Sequence, residues 1–74
     1  MVNIFADFNN ADRLGRVRLN TVGTFEDLKK TKTILEENLK IIINDGEEFE
    51  ADAIVKFSND ENIWVAVIDW DKVG

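Results

Sequence analysis

Covalent chemistry in this chain would have to start from Ser58, its only serine, from Thr21, Thr24, Thr31 or Thr33, or from one of its six lysines. Hydroxyls and amines are weak nucleophiles at neutral pH until a neighbouring base takes the proton. The chain contains neither His nor Cys, so the common activating partners are missing and no nucleophile–histidine–carboxylate triad can form. Carboxylate pairs are the remaining route, because two carboxyls flanking a substrate can divide acid and base roles. Glu47, Glu48, Glu50 and Asp52 lie close together, but in a turn and on the wet side of an alternating segment rather than in a cleft. The expectation is a solvated acidic surface on a protein that is not an enzyme; a small enzyme is the most distant reading.

The same residue types decide the metal question. Without thiolate or imidazole ligands the usual zinc sites are excluded. Asn44-Asp45-Gly46 has the outline of a calcium loop. Setting Gly46 on the loop's invariant glycine, however, puts Ile41 and Ile43 where oxygen ligands belong. No metal and no other cofactor is expected.

Nucleic acid is the serious alternative. Arg16 and Arg18 are two apart, hence on one side of an extended segment, with Arg13, Lys29, Lys30 and Lys32 near in sequence. The net charge is −6, which opposes a phosphate backbone. It is unevenly spread. Residues 13–44 hold seven basic groups against four acids, and residues 45–74 hold nine acids against Lys56 and Lys72. One locally basic face on an acidic molecule is therefore available to RNA or DNA. The competing reading pairs these arginines with nearby carboxylates that keep a strand edge in water.

The elements that must position these groups follow from periodicity. At 74 residues the chain is a single domain, residues 1–74, with a thin core. Val2, Ile4, Ala6 and Phe8 alternate with polar residues, leaving Phe5 on the polar side, and predict a strand over 2–8. Arg16 to Val22 alternates again. Thr24 is placed to cap a short helix near Phe25 to Lys30; a longer helix joining Phe25 to Leu39 would bury Thr31 and Thr33 mid-segment and is disfavoured. Leu39 to Asn44 carries three consecutive isoleucines, typical of a strand. Asp45-Gly46 marks a two-residue hairpin. Phe49 to Phe57 alternates except at Ile54, and Ile63 to Trp70 is apolar on both sides except for Asp69. The order is strand, strand, short helix and a three-stranded meander.

Five short strands in this length predict a mainly β fold, a small curled barrel of about five strands with one short helix. The stretch Leu35 to Ile41, then Asp45-Gly46, Ala51 to Val55 and Trp64 to Asp69 resembles the meander of SH3-like barrels, including Tudor- and KOW-type modules, with Asn38 where those modules often place Gly. The Glu47-Glu48 hairpin and the lack of Tyr depart from the Tudor aromatic cage. The whole chain is similar to short bacterial proteins of unassigned function, through Arg16 to Gly23 and the Trp-containing end. No family activity is carried over.

On the last strand Trp64, Ala66, Ile68 and Trp70 share one side and Ile63, Val65 and Val67 the other. A barrel this small has one interior, so one set needs another cover. Trp is enriched at binding hot spots. The reading is a non-catalytic protein-interaction or self-assembling module, homodimeric in its self-assembling form. Trp64 and Trp70 are its apolar anchors, and Arg16 and Arg18 supply polar specificity. The N-terminus lacks a signal-peptide pattern and the longest apolar run is far below the ~20 residues that span a bilayer. A soluble, cytoplasmic protein that does not meet membranes is expected.

Overall fold

The computed structural model describes residues 1–69; Trp70 lies outside the described residues. Five strands form one mixed sheet: β1 (Asn3–Phe5), β2 (Val17–Arg18), β3 (Lys40–Asn44), β4 (Glu50–Ser58) and β5 (Ile63–Ile68), with one helix, α1 (Val22–Thr31), between β2 and β3. The spatial order is β1-β3-β4-β5-β2. β3, β4 and β5 are the expected antiparallel meander. β2 adds antiparallel to β5, and β1 adds parallel to β3. A parallel pair needs a long crossover, which α1 and its flanking loops supply.

The sheet curls into a half-barrel, and chain connectivity makes this unavoidable. Ala11 bridges to Val17 outside β2, so the segment after β1 runs to the far edge of the sheet. With strands ~4.8 Å apart, those two edges would be about 24 Å apart in a flat sheet. The residues from Phe5 to Asn10 reach at most ~18 Å fully extended. Only bending brings the edges within that reach.

The concave face is the core. Ile4, Val17, Leu19, Ile41, Ile43, Ala51, Ala53, Val55 and Ala66 are almost completely buried there, as is Ala6, with Ile68 nearly so. Phe8, Leu28, Leu35, Leu39, Phe49 and Trp64 close its rim. Phe8 meets Phe49 edge to face at 4.6 Å. The alternation read from 2–8, 16–22 and 49–57 thus assigns the buried side correctly.

Several boundaries differ from the sequence reading. Thr21, not Thr24, caps α1: it is extended (φ −85°, ψ 161°) and its side chain accepts from the Thr24 amide. Thr24 is one turn inside and completely buried. The helix stops where Lys32 takes φ 55°, its N–H returning to the last-turn carbonyls, so the short-helix expectation holds. The two-residue hairpin at Asp45-Gly46 is replaced by a wider loop. Asp45 Oδ1 accepts from the amides of Glu47 (2.9 Å) and Phe49 (3.2 Å), and of the two residues only Gly46 has positive φ. A side chain that satisfies the turn amides removes the need for Asp45 to take the strained left-handed conformation. The first two strands are also shorter than their alternation. Asp7 and Asp12 accept amides two and four residues ahead, trading ladder for turn.

Phe5, the residue out of step in the first strand, has a structural role. A Cβ on Gly23 would lie 2.6 Å from the Phe5 ring, and one on Gly46 (φ 84°) 3.3 Å. The ring fits because both neighbours are glycine. The outward backbone groups of Phe5 are also occupied: its N–H donates to Asp27 Oδ2 at 2.9 Å and its C=O accepts from Thr24 Oγ1 at 2.6 Å. Helix side chains thereby stop an edge strand that would otherwise template further pairing.

Candidate functional site

Two features occupy the convex side of the sheet. The first is a charged network at the β2 end. Asp12 bends the chain back on itself, Oδ1 accepting the amides of Leu14 and Arg16 at 2.9 Å each and Oδ2 the Arg16 Nε at 2.8 Å. Arg16 reaches on to Ser58 Oγ at 3.5 Å, which also accepts the Glu61 amide. Arg18 makes a two-pronged bond to Glu61 at 2.8 and 2.7 Å, and donates to Asn10 Oδ1 and the Ala11 carbonyl. Arg13 pairs with Asp60. These groups line a cleft of ≈ 130 Å³ that joins the residue 10–18 hairpin to the β4–β5 loop.

The electrostatics follow from this wiring. Burial alone would raise the Asp12 pKa. The Arg16 backbone N–H, the Arg16 guanidinium and the Leu14 N–H outweigh it, and the carboxyl ends below its ordinary value of 3.8. The hydrogen bond from Arg18 lowers the Glu61 pKa, and the reciprocal bond raises that of Arg18. A carboxyl with a depressed folded-state pKa adds stability that is complete above its unfolded value and is lost as pH falls through the folded one. The urea midpoint should therefore decline below about pH 4, and Asp12→Asn, lacking the titrating group, should show a shallower acid limb. Superimposable acid limbs in the two proteins would contradict this.

The second feature is apolar. In register across the meander, Ile42 faces Asp52, and Lys40 faces Ile54. Ile54 in turn faces Val67, and Lys56 faces Val65. Ile42, Ile54 and Val67 thus form a diagonal stripe. Asp52 lies on one side of it together with Asp69, whose N–H bonds the Asp52 carbonyl at 2.9 Å; Lys40 and Lys56 lie on the other. Val67 is 39% exposed and the two isoleucines are half-buried. Val65, beside them, is completely buried and lies in register between Arg18 and Lys56, the latter held by Asn38 and Glu37. A shallow cavity of ≈ 230 Å³ opens between Met1, Lys40, Asp52, Ile54 and Asp69.

The residues singled out from sequence are thus separated. Arg16 and Arg18 are on the convex face, held by carboxylates. Trp64 belongs to the rim of the core, where its indole meets Phe57 edge to face at 5.0 Å. Trp70 is outside the described residues. Asp12, Glu61 and Ser58 were not singled out as partners of the arginines; the Asp12–Arg16 spacing of four was the available signal. Ile42 and Ile54 were also missed. Their signal was their place on the polar side of otherwise alternating strands.

Among the described residues no helix is long and apolar enough to cross a membrane, and no group of three or more acidic side chains is placed to hold a metal ion. The fold and its convex face define a small, mainly β protein, a five-stranded half-barrel with one helix. Comparison with protein-family models, with curated proteins and with solved structures finds no match.

Proposed function

We propose that this protein is a non-catalytic interaction module and that the convex face of β3, β4 and β5 is its contact surface. One observation carries this reading: among the described residues no helix lies over the Ile42–Ile54–Val67 stripe, since α1 packs against β1 and no other strand, and Val67 is left 39% exposed. Uncovered apolar residues rimmed by charge are the usual composition of a protein contact. The nucleic-acid reading gains no such support, since the guanidiniums of Arg16 and Arg18 are bonded to Asp12 and Glu61. Likeness to SH3-like modules is part of the proposal. Its supports are the β3–β4–β5 meander and Asn38, which has φ 68° at the position where those modules often use Gly. Residence in a bacterial cytoplasm belongs to the same reading and rests on the sequence resemblance.

The test is site-specific photo-crosslinking in living cells. A photoreactive residue at Val67 should give discrete protein adducts that the same residue at Glu26, on the exposed side of α1, does not give. No adducts at Val67, or the same adducts from both positions, would refute the reading.

A further inference from the structure

We propose that the partner of this face is a second copy of the chain, packed face to face about a two-fold axis that runs along the Ile42–Ile54–Val67 stripe. The inference rests on the interaction reading above and adds the identity of the occupant. It follows from how the charges are laid out. A two-fold axis lying in a contact plane places each residue of one copy opposite its mirror position across that axis in the other. Residues on the axis meet themselves; residues to one side meet those on the opposite side. Here the axis residues are apolar. The acids Asp52 and Asp69 are on one side, and Lys40 and Lys56 are on the other.

Rotation therefore brings Ile42, Ile54 and Val67 against their own copies, and sets Lys40 against the partner copy's Asp52, twice by symmetry. Lys56, already held by Glu37 and Asn38 of its own chain, is not needed for this match. Sheets stacked at ~10 Å interdigitate their facing side chains, which suits a stripe of β-branched residues between charged flanks. Lys40 and Asp52 are also available: among the described residues neither side chain has an ion-pair partner. A partner of uniform charge would be attracted to one flank and repelled by the other, whereas a second copy satisfies both. A standard contact of ~800 Å² per partner would take roughly a sixth of the 4934 Å² surface.

Sedimentation equilibrium of the purified full chain, at concentrations up to about 1 mM, tests this. Wild type should show a monomer–dimer equilibrium. Lys40→Glu puts acid against acid at both symmetry-related contacts and should weaken dimerisation about 30-fold or more. Adding Asp52→Lys reverses both signs and should recover most of the loss. Val67→Lys, which inserts a charge on the axis itself, should give monomer and serves as an independent variant should Lys40→Glu fail to fold by circular dichroism. A monomeric wild type, or a Lys40→Glu protein as dimeric as wild type, would overturn the proposal. A monomeric wild type whose Val67 cross-links to a different protein in cells would overturn self-pairing and leave the interaction module standing. Monomer together with no adducts would remove both.

Discussion

Ile43→Ala should lower the unfolding free energy by about 4 kcal/mol, close to the upper end for deletions of buried aliphatic atoms. Ile43 has no measurable exposure and sits between Ile4 on β1 and Ala51 on β4. The cost depends on whether the surroundings can close around the missing atoms. On one side the neighbour is an alanine, with no side chain to move in. On the other is a three-residue strand whose backbone is fixed by the parallel ladder and by α1. A domain of this size holds total stability on the order of 4–10 kcal/mol, so the variant should be partly unfolded at 37 °C. Its thermal midpoint should fall by roughly 15 °C or more. A loss below ~1 kcal/mol in urea titration would mean that the concave face is not a packed interior.

Thr24→Val should cost about 2 kcal/mol although it preserves shape and burial. Thr24 Oγ1 donates to the Phe5 carbonyl at 2.6 Å and is bonded to Thr21 Oγ1 at 2.8 Å. Valine removes the donor and leaves the part-buried edge carbonyl without that partner, at a desolvation cost of ~1–3 kcal/mol. Thr24→Ser retains the hydroxyl and loses only a methyl, so it should remain within about 1 kcal/mol of wild type. Equal losses in the two variants, measured by urea denaturation, would show that packing and not the hydrogen bond fixes α1 to β1. The test also bears on the edge itself. With Thr24 and Asp27 in place the outward groups of Phe5 are occupied, which leaves the convex face as the exposed apolar surface of the sheet.

That face was legible only through its irregularities. Alternation read from the sequence sorted Ile4, Val17, Ala51 and Val55 correctly into the interior. Residues that broke the alternation, Ile54 in one strand and the middle isoleucine of Ile41-Ile42-Ile43 in another, are the ones that line the stripe. The excess of apolar residues on the last strand was also read from the sequence. Trp64, the largest side chain of that strand among the described residues, has its indole packed against the core and Phe57. Large side chains can be claimed by either side of a thin sheet, and hydrophobicity alone does not say which.

What the residues by themselves determined is the element order, the period-two patterning, the short helix and the absence of His- and Cys-based chemistry, because these depend on local propensity and composition. The parallel pairing of β1 with β3, the use of Thr24 and Asp27 to block an edge, the seating of Phe5 between Gly23 and Gly46, and the neutralising of Arg16 and Arg18 were decided by tertiary structure. So was the arrangement of acids and lysines on opposite flanks of one stripe. Each joins residues distant in sequence through strand register or edge closure. A period of two assigns a residue to a face but carries no information about which strand will lie beside it.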